Sequence, residues 1–123
     1  MLLIATVDPN LHRQLQQTLT KKGDPFLLLK EGEEIADSVF HQHPSLVILD
    51  LYLTHPSGLA ILRQLRAEGY SGKVVVLGGQ SAQSLAPEAT RLGALQIMGR
   101  PFDANQVLGA VRVAKETLDD DPE

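Results

Sequence analysis

The sequence predicts an α/β domain built on a parallel five-stranded sheet, and three observations support this. Short apolar runs alternate along the chain with segments in which apolar residues recur at helical spacing. Five strand–helix pairs in succession imply parallel strands joined by right-handed crossovers. The length of 123 residues suits one domain, which we place at 1–118, with 119–123 as an acidic tail or the start of a linker.

The first strand is predicted at 2–7, where branched apolar residues dominate. Asp8 is expected to cap the following helix, because Pro9 suits a first helical position. Gly23 is expected to end that helix. Its buried stripe is formed by Leu11, Leu15 and Leu19.

The second strand is predicted at 26–29, and acidic residues at 31–34 favour the start of a second helix. The inner face of that helix comprises Ile35, Ala36, Val39 and Phe40. A third strand at 46–49 leaves Asp50 at its carboxyl end, followed by a loop at 51–57. Asp50 therefore joins a buried strand to an exposed turn.

The third helix is predicted to turn Leu59, Leu62 and Leu65 inward and both Arg63 and Arg66 toward water. Pro87 is expected to break or begin the fourth helix. The remaining elements are strands at 74–77 and 95–98, helical residues at 87–92, and a last helix opened by a capping box of Asp103 and Gln106.

Composition excludes several classes of function. The absence of cysteine excludes disulfides and thiolate metal sites, and is consistent with a cytoplasmic location. A formal net charge of −4 argues against direct binding to nucleic acid. The apolar start of the chain is too short to span a bilayer, so no membrane association is expected.

Residues at the carboxyl ends of the strands are the candidates for chemistry, because open parallel sheets bind ligands along that edge. They are Thr6, Val7, Asp8, Asp50, Gly78, Gly79, Gly99 and Arg100. Asp50 is the most informative of them. It is either a turn residue that binds loop amides or a nucleophile or metal ligand, and its position alone does not decide between these roles.

The segment HPSLVILDLYLTHPSGLAILRQLRAEG resembles the central part of the receiver domains of two-component response regulators. Three further stretches agree in order: LLIATVDPNLHRQLQQTL, KEGEEIADSV and GALQIMGRPFDANQVLGAV. The resemblance covers residues 2 to about 118. It implies a flavodoxin-like (βα)5 fold, a doubly wound sheet with strand order 2-1-3-4-5, and Asp50 as the acceptor of a phosphoryl group from a histidine kinase.

The resemblance also implies a set of residues around the acceptor, and this sequence departs from it. The two acids that help such domains hold a divalent cation fall at Thr6 and Val7. The hydroxyl position holds Gly78, and the lysine position holds Arg100. The aromatic switch position holds Ile97. The phosphorylation pocket is therefore expected to be degenerate.

These residues predict a receiver-like protein-interaction module that is not an enzyme and whose output is largely independent of phosphorylation. No cofactor or metal is expected, and Mg²⁺ binding would be weak. The alternative is a functional receiver phosphorylated on Asp50. A third possibility, a flavin-binding or small-ligand enzyme, lacks a glycine-rich loop after the first strand.

The expected partners are proteins, either a histidine kinase or an output domain. A homodimer could form through the face made by the fourth helix, the fifth strand and the last helix.

Overall fold

The fold is a five-stranded parallel sheet in the order β2-β1-β3-β4-β5, as predicted. The structure is a computed structural model and describes residues 1–23, 25–29, 35–51, 53, 57–77, 86–98, 106–109 and 112. Its elements are β1 (Leu2–Ala5), α1 (Pro9–Lys22), β2 (Phe26–Leu29), α2 (Ile35–Gln42), β3 (Leu46–Asp50), α3 (Gly58–Ala67), β4 (Lys73–Leu77), α4 (Ala86–Arg91) and β5 (Ala94–Met98).

The sheet separates two apolar layers, because successive side chains of a strand point to opposite faces. One layer joins β1, β3 and β4 to α1, and its buried members are Leu2, Ile4, Leu11, Leu15, Leu19, Leu46, Ile48, Val75, Leu77 and Val107. The other layer joins the alternate strand residues to α2, α3 and α4. The central strands β1, β3 and β4 are thus covered on both sides, as near-continuous apolar runs require.

The ends of α1 confirm the predicted caps. The Asp8 side chain accepts hydrogen bonds from the backbone N–H groups of Asn10 and Leu11, at 3.0 and 3.2 Å. At the other end Gly23 adopts a left-handed conformation, with φ of 79°, and its N–H donates to the carbonyl of Leu19. These contacts satisfy backbone groups that have no partner inside the helix.

The start of α3 lies directly against the end of β3. Ser57 caps the helix, accepting a hydrogen bond from the Ala60 N–H at 3.1 Å. Gly58 follows, and a Cβ atom at this position would lie 2.3 Å from the carbonyl oxygen of Asp50. Only glycine allows the backbones of β3 and α3 to approach this closely. Further along α3, the predicted inward face of Leu59, Leu62 and Leu65 is confirmed.

The two arginines of α3 differ in their surroundings. Arg63 is exposed, as predicted. The prediction that Arg66 faces water is wrong, because its guanidinium is partly buried and donates to backbone carbonyls of the segments that lead into β4 and β5. These acceptors lie in the connections that follow α3 and α4. The spacing of apolar residues within α3 gives no information about contacts with them.

Other boundaries are close to the predicted ones. The first strand ends at Ala5 rather than at Val7, and β3 includes Asp50. The fourth helix begins one residue before Pro87. Residues 106–109 are helical, as expected for the last helix, whereas Asp103 and the tail lie outside the described residues. In the described part of the chain, no helix has the length and apolarity needed to cross a bilayer.

Candidate functional site

The register of the sheet brings Thr6 beside Asp50. Ala5 of β1 pairs with Leu49 of β3, so the next residue of each strand lies at the same level. Every second residue of a strand points to the same face of the sheet. Leu2, Ile4 and Thr6 follow this spacing from β1, and Leu46, Ile48 and Asp50 follow it in β3. Because Ile4 and Ile48 belong to the layer under α1, Thr6 and Asp50 share that face.

Hydrogen bonds from the chain occupy one oxygen of the Asp50 carboxylate. Oδ2 accepts from the Thr6 hydroxyl at 2.9 Å and from the Val7 N–H at 3.2 Å. The Thr6 oxygen in turn accepts from the Asp8 N–H at 3.1 Å. Asp50 is 0% exposed and Thr6 is 1% exposed. A buried charge needs such partners, and the β1–α1 connection supplies them.

The expected acidic positions carry no carboxylate. Val7 is half-buried, its side chain has no polar atom, and its backbone N–H donates to Asp50. Asp8 is the nearest acid in sequence, but its Oδ1 caps α1. Among the described residues, no group of three or more histidine and acidic side chains is arranged to hold a metal ion. Mg²⁺ prefers several oxygen ligands in an octahedral shell, so this donor set fits it poorly.

A cavity of about 330 Å³ opens beside the β1–α1 connection, on the α1 side. It is lined by Thr6, Val7, Asp8, Pro9, His12, Arg13 and Gln16. Its residues include both groups that donate to Asp50, so the cavity lies against the same connection. The His12 ring also has a buried Nε2 atom without a hydrogen-bond partner.

The structure thus brings together Thr6, Val7, Asp8 and Asp50 of the predicted site. Gly78, Gly79, Gly99 and Arg100 lie outside the described residues. The backbone of Ile97 belongs to β5, but its side chain also lies outside the described part. The roles assigned to these positions stay predictions.

Sequence reasoning identified Thr6 only as a position without a carboxylate and missed its hydroxyl as a donor. The spacing along the two strands could have revealed this contact. Thr6 stands two positions after Ile4, and Asp50 two positions after Ile48, and both isoleucines pack in the same apolar layer. It also missed Gly58, whose contact with the Asp50 backbone crosses the loop before α3.

Replacing Thr6 with valine is expected to lower the free energy of unfolding by about 2 kcal/mol, because a buried carboxylate loses a hydrogen bond while the side-chain shape is kept. Urea denaturation measures the change. Thr20→Val is the matched control, since Thr20 is exposed on α1 and its replacement should alter stability by less than about 0.5 kcal/mol. Equal stability of the two variants would show that the Thr6–Asp50 hydrogen bond contributes nothing.

Comparison with known proteins identifies the family. The model of the response regulator receiver domain matches residues 2–112. The chain is 32% identical over 125 residues to the photosynthetic apparatus regulatory protein RegA of Rhodovulum sulfidophilum, covering 99% of this chain and 67% of RegA. It is 29% identical over 114 residues to the C4-dicarboxylate transport transcriptional regulatory protein DctD of Pseudomonas aeruginosa, covering 93% of this chain and 25% of DctD.

Solved structures agree on the fold. The receiver domain of NtrX from Brucella abortus superposes with a TM-score of 0.80 at 23% identity, covering 95% of this chain and 99% of that domain. The chain spans only a quarter of DctD, so it corresponds to one domain of that relative. Together with the family match over most of its length, these likenesses show that the chain belongs to the response-regulator receiver domain family of two-component signal transduction.

Proposed function

We propose that this receiver domain acts as a protein-interaction module whose output does not depend on phosphorylation of Asp50. The observation that carries the proposal is the bonding of the acceptor carboxylate. One of its oxygens is held by the Thr6 hydroxyl and the Val7 N–H, inside a fully buried position. A phosphoryl acceptor attacks through a carboxylate oxygen, and hydrogen bonds that stabilise the carboxylate make it a weaker nucleophile.

The second support is electrostatic. Phosphoryl transfer to a carboxylate brings two negatively charged groups together, and bound metal ions normally neutralise that charge. At the two positions expected to assist the metal, threonine and valine supply no negative charge. Mg²⁺ affinity is therefore low, and transfer to Asp50 loses several kcal/mol of transition-state stabilisation. The domain is not an enzyme in this proposal and needs no cofactor.

The partner in this proposal is a protein, either a histidine kinase or an output domain. The acidic net charge makes direct contact with nucleic acid unfavourable. The surface that includes α4 and β5 is the one we assign to the partner or to a second copy of the chain. A competing function, as a phosphorylated receiver, is favoured by the place of Asp50 at the carboxyl end of β3.

Intact-mass measurement separates the two functions. The domain is incubated with Mg²⁺ and a small-molecule phosphodonor such as acetyl phosphate, next to an Asp50→Asn control. We expect no phosphoryl adduct on either chain, with circular dichroism confirming that both are folded. An adduct on the parent chain that is absent from the control would establish Asp50 as a working acceptor and overturn the proposal.

A further inference from the structure

The fourth helix, α4, is too short to be stable by itself. It contains six residues, and Pro87 stands in its first turn. Isolated helices of this length are unstable in water. Among its residues 87–91, whose side chains the structure describes, Ala89 is the buried one, and a methyl group contributes little apolar area. Contacts from outside the helix must therefore place it.

Arg66 of α3 supplies those contacts at the carboxyl end of α4. Its Nε donates to the Leu92 carbonyl at 2.7 Å, and its Nη2 donates to the Gly93 carbonyl at 3.2 Å. These two residues directly follow α4, and Gly93 has a φ of 89°. Carbonyl groups at the end of a helix carry a partial negative charge and lack partners within the helix. A guanidinium group satisfies both needs.

The same guanidinium also binds the segment between α3 and β4. Nη1 donates to the carbonyls of Tyr70 and Gly72, at 2.7 and 3.0 Å. The Tyr70 ring lies 5.8 Å from the Arg66 cation, and its hydroxyl donates to the Pro44 carbonyl at 2.8 Å. Burial raises the pKa of Tyr70 to about 12, although the positive charge of Arg66 acts in the opposite direction. The hydroxyl therefore stays protonated and able to donate.

A second link between α3 and α4 is weaker. Arg63 forms an ion pair with Glu88, but the two side chains are 56% and 38% exposed. Exposed pairs of this kind contribute little to stability, because solvent screens them. The planar fork of Arg66, which binds four carbonyls in a partly buried position, is the stronger of the two links.

We propose that Arg66 is a positioning residue for α4. It ties the segment between α3 and β4 to the carboxyl end of α4, so that α4 is presented to a protein partner in one orientation without any signal from Asp50. This inference rests on the proposed function, in which the partner recognises a surface that phosphorylation does not alter.

Amide hydrogen exchange of the whole domain tests the proposal through the Arg66→Lys variant, which keeps the charge but not the planar set of donors. We expect exchange of the Leu92 and Gly93 amides, which donate to the Glu88 and Thr90 carbonyls, to accelerate at least tenfold relative to the amides of β1 and β3. The matched control, Arg63→Ala, removes the exposed ion pair and should accelerate the same amides less than threefold. An equal acceleration over the whole sheet would mean that Arg66 only adds general stability, and would overturn the proposal.

Gly93→Ala provides an independent test if Arg66→Lys does not fold. Its added Cβ would lie 3.2 Å from Nη2 of Arg66, at a backbone conformation that alanine adopts with strain. The same local acceleration is expected, and its absence would count against the proposal. The mass experiment concerns Asp50 and this one concerns Arg66, so a phosphoryl adduct would refute the proposed function and leave the capping of α4 to be judged by exchange alone.

Discussion

Replacing Gly58 with alanine is expected to lower the free energy of unfolding by about 3 kcal/mol, or to prevent folding. The new Cβ would lie 2.3 Å from the Asp50 carbonyl oxygen and 2.8 Å from Cα of Leu51. Both are backbone atoms, which cannot rotate away as a side chain can, so β3 and α3 must separate. Helix propensity alone predicts the opposite sign, because alanine favours helices more than glycine does.

Gly109→Ala is the matched control for this prediction. Gly109 is also helical, but among the residues that the structure describes a Cβ there would meet no atom within 4 Å. We expect this variant to gain up to about 1 kcal/mol, as helix propensity predicts for an unobstructed site. Urea denaturation with a common slope measures both changes. If Gly58→Ala were as stable as Gly109→Ala, the close approach of α3 to Asp50 would be wrong.

Restoring the two acids is expected to create a Mg²⁺ site. In the Thr6→Asp, Val7→Asp double variant, a carboxylate at position 6 would stand beside Asp50, because the present hydroxyl lies 2.9 Å from Oδ2. Without metal, the paired negative charges should make the variant less stable than the parent chain. Mg²⁺ should reverse this loss, adding about 1.4 kcal/mol at a tenfold excess over its Kd.

Thermal unfolding with and without millimolar Mg²⁺ measures that effect. The Thr6→Asn, Val7→Asn variant is the control, because it has nearly the same shape without the charges and should not respond to the metal. The acidic variant should also gain a phosphoryl adduct in the mass experiment. A variant that folds and yet ignores Mg²⁺ would show that the missing carboxylates are not what limits metal binding at Asp50.

The elements that the sequence predicted well are those with local chemistry. Asp8 and Pro9 define the start of α1, and Gly23 its end, through contacts within a few residues. The order of the strands followed from the family resemblance, and the structure confirms it. The strand lengths were predicted less closely. Val7 continues the apolar composition beyond β1, whereas the Thr6 N–H makes the last bond to β2, at the Leu29 carbonyl.

The details of the site depend on contacts between distant parts of the chain. Thr6 and Asp50 are 44 positions apart, and only the pairing of β1 with β3 brings them together. Arg66 has the spacing of an exposed helical residue, yet it binds carbonyls of Leu92 and Gly93. Periodicity describes one helix at a time, so it cannot reveal a neighbour that begins some twenty residues later.

The hydrogen bonds of Arg66 and Tyr70 have a consequence for how such a domain can change during evolution. They tie the approaches to three strands at the amino edge of the sheet, through Pro44, Gly72 and Gly93. Asp50 lies at the opposite edge. Mutations that abolish phosphoryl transfer at the carboxyl edge therefore leave the hydrogen bonds at the amino edge intact. A lineage can lose the reaction first and keep a folded scaffold on which selection for a new partner can act.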